Sequence, residues 1–422
     1  MDSLDSVVSA IQKLSGTDLP QLLTQLKSSE DLLQRSAGIS TQVLSTLDPN
    51  QHSLGWLFIL ESQVSGSADP PHGSETFIAA VTSFIGCCRP EQIRLAPDKF
   101  ASICKQMKEH ALKLGQPGRV VMPLKLAIGK VQPSTEYLSP QHGDFFQVCL
   151  LAKMYHAAIE ILAQEVYETD PAKTGLVPRD FLLFCYYGGM LQVGLKNFSQ
   201  ALKMFLNALT APSIALNAIT VASYKKYAIL SLIYSGQIQP FPKYTASIVQ
   251  RHCKNCCQEY NELANAYTTR NMEELRRCAL TYEEVFRKDN NYGLVKQCIQ
   301  SLYKRNIQRL TQTYLTLSIE DIAQTVGLSS AVEAESYILR MIESGDIYAT
   351  INQKDGMVSF LEDPEQYNTS EMVDRIDTNI QTSIGLAKKV ADVNEQVITN
   401  RTFLSKTMMK DRMRHYTEPM QD

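Results

Sequence analysis

Apolar residues recur every three or four positions along residues 1 to 290, which predicts a succession of amphipathic helices and almost no strand. Leu4, Val7, Val8 and Ile11 make the first stripe, and Leu19, Leu22, Leu23 and Leu26 the second, with Pro20 tolerated in the opening turn. Leu54, Leu57 and Phe58 carry the next face. Residues 65–74, SGSADPPHGS, are too polar and too rich in Gly and Pro for regular structure and are expected to form an exposed loop. Helices follow over 77–88 and 100–114, with a turn at QPGR (116–119).

One segment carries a fixed spacing. In FCYYGGMLQVGLKNFSQALKMFLNALTAP (184–212), Gly189, Phe198, Ala201, Phe205 and Ala208 occupy the places of a tetratricopeptide-like helical hairpin, with a small residue where two helices cross and small-large-small packing after it. A looser echo lies at KMYHAAIEIL, through Tyr155, Ala158 and Leu162. A third, at VVMPLKLAIGKV, is spoiled by Pro123. The pattern predicts a degenerate array of helical pairs with a concave and a convex face.

The period changes after residue 310. Tyr314 to Leu317 favours a strand, and Ser318 with Asp321 three residues on predicts a capped helix bearing Ile319, Ile322, Ala323 and Val326, which Gly327 ends. Ser330 and Glu333 open a second helix, with Ala334, Ile338, Met341 and Ile342 inward, and Gly345 stops it. Ile347, Ala349 and Ile351 then alternate with Tyr348, Thr350 and Asn352, and Asp355-Gly356 turns the chain onto Val358 and Phe360. Two short helices followed by a hairpin make a winged helix. Beyond it a helix is expected over 370–399, with Val373, Ile376, Ile380, Ile384, Ala387, Val390 and Val397 in one narrow stripe. With its own domain already complete, that stripe is expected to bundle with helices of other chains instead of folding back.

Charge decides between the two uses of a winged helix. A groove-reading helix needs Arg, Lys, Asn or Gln towards base edges and cations for phosphate, whereas this one offers Glu333, Glu335, Glu343 and Arg340. From Lys296 to Asp346 there are five cations and six anions. Lys296, Lys304, Arg305 and Arg309 on the preceding helix lack an aromatic stacking platform. The fold is therefore expected to serve as a packing surface, with a nucleic-acid-binding winged-helix protein as the alternative.

At 422 residues the chain exceeds one ordinary core, and its net charge of −3 gives no global attraction to nucleic acid or to an acidic membrane. No apolar run approaches the ~20 residues of a membrane span. Acids replace the bases of a signal peptide in MDSLDSVVSAIQKLSG, so secretion is not expected. Ten cysteines are scattered without a framework, and Cys104, Cys149 and Cys298 sit among apolar neighbours, as reduced core thiols of a cytoplasmic or nuclear protein do.

Catalytic patterns fail. The seven histidines include no H-E-x-x-H and no H-x-H, which excludes a zinc isopeptidase. HCKNCC at 252–257 lacks a second pair of ligands, although Cys278 is a candidate, and Cys253 and Cys256 equally suit one helix face. AIGKV at 127–131 lacks the first glycine and the hydroxyl of a phosphate loop, and neither G-x-S-x-G nor G-x-G-x-x-G occurs. No catalytic residue, metal or cofactor is expected.

Helical repeats running into a winged helix and then a terminal helix resemble the PCI family, named for the proteasome lid, the signalosome and the eukaryotic translation initiation factor three complex. FCYYGGM, the helix DNNYGLVKQCIQSLYKRNIQRLTQTYLTLS and the wing INQKDGMVSF look most like the signalosome branch, with a proteasome-lid subunit as the rival. The resemblance implies a non-catalytic scaffold among other PCI subunits and metallo-isopeptidase-type subunits of a large hetero-oligomer. It also implies that winged helices associate side by side and terminal helices share a bundle, while another subunit removes a ubiquitin-like modifier from cullin-based ubiquitin ligases. Neither nucleic acid nor membrane is an implied partner. Tyr348, Thr350, Asn352, Met357 and Ser359 of the wing and Ile376, Ile380 and Ile384 of the terminal helix are then the expected assembly residues. The implied divisions are repeats over 1–180, the repeat part of the PCI domain over 181–295, the winged helix over 296–362, the bundle helix over 370–399 and a disordered basic tail over 400–422.

Overall fold

The computed structural model describes residues 4–35, 43–44, 46–65, 73–362, 364 and 369–417. The loop expected over 65–74 and the end of the tail therefore lie largely outside the described residues. The chain forms two compact units, residues 1–306 and 307–422.

The first unit is built of paired helices, several of which start on a proline whose missing N–H is no loss in a first turn: Pro97–Lys113, Pro140–Leu151 and Pro178–Gly194. Each is followed by an outer partner: Val121–Val131, then the 3-10 turn Tyr155–Ala158 continued by Ile159–Leu162, then Phe198–Thr210. The best of the sequence-predicted hairpins packs as its spacing requires. Ala201 and Phe205 are fully buried, and a Cβ on Gly189 would lie 2.8 Å from the Phe205 ring, so the helices cross at the glycine.

A recurrent turn joins the pairs. Lys153, Lys196, Arg270 and Asn290 all have positive φ, between 55° and 65°, and each sits just past the end of a helix. The N–H of the next residue bonds back to the carbonyl five positions earlier in three cases, Met154 to Cys149, Asn197 to Gln192 and Asn291 to Phe286. These are helix C-caps of the Schellman kind in which a side chain occupies the place glycine usually takes.

Further along, a polar network ties the helices together. Lys225 pairs with Asp289 at 2.7 Å, and Asp289 accepts from the Tyr260 hydroxyl at 2.8 Å. Asn291 donates to that hydroxyl at 2.9 Å and accepts from buried Lys226 at 2.7 Å. Burial lowers the Lys226 ammonium to about 8. The Arg305 guanidinium donates to the carbonyls of Ile233 and Tyr234, capping the helix Ala218–Ser235 where Gly236 takes φ 82°. His142 is wholly enclosed, within hydrogen-bond distance of Ser139 Oγ (2.9 Å) and Gln132 Nε2 (3.1 Å), and burial pushes its imidazole down to about 4.

Cys104, Cys149 and Cys298 are fully buried. In the cluster at 252–257, Cys253 and Cys257 are buried and Cys256 is exposed. Among the described residues no group of three or more His, Cys, Asp or Glu is placed to hold a metal ion, and no helix is long and apolar enough to cross a membrane.

The second unit contains a three-stranded antiparallel sheet, β1 (Thr316–Ser318), β2 (Ala349–Asn352) and β3 (Met357–Phe360), in the order β1-β3-β2. Helices Ile319–Val326 and Ala331–Glu343 pack on one of its faces through Ile322, Ala334, Ile338 and Met341. Both caps form: Ser318 Oγ accepts from Asp321 N–H at 3.0 Å, and Ser330 Oγ from Glu333 N–H at 3.2 Å. Gly327 and Gly345 take the left-handed conformation at the helix ends, and Gly356 takes it in the hairpin turn.

The rod Ser370–Thr399 starts on Thr369, whose hydroxyl accepts from Met372 N–H, and it has no buried residue. Disorder was expected after it; a helix, Arg401–Thr417, is found there instead. Asn400 breaks the rod and caps the new helix by accepting from Thr402 N–H at 2.9 Å, and its Lys, Arg, Leu and Met residues are good helix formers.

Candidate interaction surface

Strand register sorts the wing residues. Ile351 pairs with Val358, and Val358 with Leu317, on the face turned to the helices. The opposite face carries two cross-strand rows, Thr316–Ser359–Thr350 and Ser318–Met357–Asn352. Four of the five wing residues proposed from the sequence thus share one sheet face. Thr350 and Asn352 are exposed, and Met357 and Ser359 are half-buried. Tyr348 lies just before β2, half-buried, and its carbonyl accepts from Leu361 N–H at 2.8 Å, so it prolongs the hairpin ladder past the strand ends. Asn352 is occupied in the turn: its amide donates to Asp355 at 2.7 Å and accepts from Lys354 N–H at 3.2 Å. It shapes the wing tip.

With β3 central, β1 and β2 each have one edge unpaired within this sheet. An unpaired edge is a template for another chain. Side chains at the sheet ends reinforce that reading, since Leu315 is 83% exposed and Leu361 57%.

On the helix that would enter a DNA groove, Glu333 accepts from Ser329 N–H and Oγ, and Glu335 from the Gln353 amide at 2.9 Å. The outward positions are instead Val332, 76% exposed, and Leu339. Sequence reading weighed only the charges of this helix and missed these two. Their spacing of seven, on the side away from Ala334 and Ile338, was the available signal.

Ile376, Ile380 and Ile384 are 46–50% exposed, and with Asn379, Ser383 and Ala387 they line a shallow hollow along the rod. Val373, Val390 and Val397 extend the apolar line. Burying a side chain of this size is worth about 1.5–3 kcal/mol, which here is left unrealised. The arrangement offers surfaces suited to binding.

Comparison with known proteins matches two family models to successive parts of the chain. The family model of the N-terminal helical repeats of COP9 signalosome complex subunit 3 matches residues 16–249, and that of the PCI domain matches residues 279–362. A COP9 signalosome complex subunit 3 from Arabidopsis thaliana is 44% identical over 409 residues, covering 96% of this chain and 94% of the relative. One from Dictyostelium discoideum is 38% identical over 408 residues, covering 96% and 97%.

Proposed function

This chain belongs to the family of COP9 signalosome complex subunit 3, and from that premise we propose that it is a non-catalytic scaffold subunit of such a complex. The observation that carries the reading is likeness over nearly the whole length of chain and relative, joined to a 30-residue rod that buries nothing of its own. Its partners are other PCI subunits and a metallo-isopeptidase-type subunit that supplies the catalytic zinc. Through the complex they include the cullin-based ubiquitin ligases from which a ubiquitin-like modifier is removed.

In this reading the open sheet edges and the face carrying Thr350, Met357 and Ser359 meet neighbouring winged helices, and Ile376, Ile380 and Ile384 enter a shared helical bundle. Labour divides as the resemblance implies: repeats over 1–180 and 181–295 reach outward, the winged helix over 296–362 joins an arc of its neighbours, and 370–399 enters the bundle. The place of work is the cytoplasm and nucleus, a setting that ten cysteines, all free thiols, suit.

Affinity purification of the tagged full-length chain tests the proposal. Co-purification of PCI subunits with a modifier-cleaving zinc subunit and cullins is the expected result. Recovery of proteasome base ATPases, or of the chain alone, would overturn it.

A further inference from the structure

The second repeat of the array is cut short. Its outer helix is the 3-10 turn Tyr155–Ala158 run into a single α turn, Ile159–Leu162, where the outer helices before and after it have 11 and 13 residues. In a stack of helical pairs each outer helix covers part of its neighbour, so a missing turn leaves a gap. Apolar side chains line this one. Met122 and Leu126, one turn apart on Val121–Val131, are 58% and 52% exposed, and Leu151, Met154 and Ile159 on the other wall are 52%, 43% and 46% exposed. Single exposed apolar residues are ordinary; five around one notch are a surface waiting for cover.

Two contacts show that the walls face each other. Lys125 pairs with Glu160 across the notch, and Met154 Sδ lies 4.0 Å from where a Cβ on Gly118 would be. Beyond Leu126, a Cβ on exposed Gly129 would meet nothing within 4 Å, so a foreign backbone can approach the floor. Two unbranched methionines suit an adaptable docking surface.

Charge chooses the occupant. Lys125 is neutralised by Glu160, and Arg119 by Glu75 at 3.3 Å. At the other end, the left-handed turns carrying Lys153 and Lys196 are held near one another by Tyr155, which packs against Gly194. Among the described residues neither lysine has a carboxylate partner: Lys196 donates to the Gln297 amide at 2.9 Å and lies over the Phe198 ring. The unneutralised charge at that end is positive. We propose that the notch over Met122, Leu126, Leu151, Met154 and Ile159 docks one amphipathic helix of another polypeptide, about two to three turns long, apolar on one face and acidic at the end lying over Lys153.

A benzophenone-bearing amino acid placed at position 154 of the tagged full-length chain, irradiated in the assembled complex and followed by mass spectrometry of cross-linked peptides, tests this. One defined segment of another chain should be captured, with that apolar and acidic pattern. Leu126→Glu should cut the yield at least tenfold and Lys153→Glu at least fivefold, whereas Lys153→Arg should preserve it, with the co-purifying subunits unchanged in every case. Since Leu126 is half exposed, its variant should melt within a few degrees of the parent; if it does not fold, the two Lys153 variants carry the test. No cross-link, capture scattered over many segments, capture of a second copy or of this chain's own terminal rod, or a yield indifferent to Lys153→Glu would overturn the proposal.

Discussion

Gly188 and Gly189 stand side by side on Pro178–Gly194, yet a methyl group would meet very different neighbours at each. At Gly189 it would meet the fully buried Phe205 ring at 2.8 Å; at Gly188 it would meet the end of Met204 at 2.7 Å, which can swing away, and the edge of the buried Phe146 ring at 3.2 Å, a milder press. Gly189→Ala should therefore cost about 1–3 kcal/mol through overpacking. Gly188→Ala should cost less than that, because the thioether can shift and alanine's gain in helix propensity, up to about 1 kcal/mol, offsets part of the press on Phe146. Urea midpoints of the two variants check the difference. Sequence spacing alone picked out Gly189 and its partner. It did not find the left-handed Lys153, Lys196 and Arg270, because side chains in that conformation defy the glycine rule that a reader applies to helix ends. The signal was in the chain nonetheless, as Lys-Met-Tyr, Lys-Asn-Phe, Arg-Asn-Met and Asn-Asn-Tyr recur at the turns.

His142 supplies a pH dependence at the same scale. Its folded-state pKa is lowered to about 4 by burial, so the unfolded chain takes up a proton that the folded chain refuses as pH falls through about 6.5. Stability on this account is fully present above that value and declines between about 6.5 and 4, by as much as about 3 kcal/mol. Denaturant titrations at pH 7, 5.5 and 4.5 should show the decline in the parent chain, and a smaller one in His142→Gln, which has no proton to gain.

Among elements, the winged helix was the most legible, because its caps, glycine stops and period-two hairpin are local rules that agree with one another. Ser330→Ala removes the acceptor for Glu333 N–H and should cost about 1 kcal/mol, read as a lower melting temperature with the fold retained. The first strand sits two residues later than its β-branched and aromatic composition suggested, at Thr316–Ser318, because its register is set by pairing with β3. That information lies forty residues away. The truncated outer helix of the second repeat was hidden for a related reason: Ala158 and Leu162 have helical spacing, and nothing local announces that the helix stops after two turns. After the rod, the short polar stretch read as disorder forms Arg401–Thr417, where a cap at Asn400 and good helix formers outweigh weak apolar periodicity.

For the whole molecule, the proposed role of the rod in assembly and not in folding is directly testable. Ile376→Glu, Ile380→Glu and Ile384→Glu combined alter no buried residue and should leave the thermal unfolding of the isolated chain unchanged, while the tagged variant loses its co-purifying PCI subunits. If unfolding instead shifts by several degrees, the rod packs on its own chain and its assignment to a shared bundle fails. Filter binding to duplex DNA at two salt concentrations addresses the other use of the fold. Little retention near physiological salt and a shallow salt slope are expected, since the helix in the recognition position offers Val332 and Leu339 outward, together with glutamates that would repel phosphate.

A line of bare isoleucines and valines has a further consequence for any cell that makes this chain. Synthesised in excess, it carries an unprotected greasy seam that chaperones and proteases recognise as a mark of incomplete assembly. Under the proposed assembly its lifetime is set by supply of the companions that would sheathe it, and a pulse-chase after depletion of those companions should find a sharply shortened half-life, restored when the three isoleucines are replaced by glutamate.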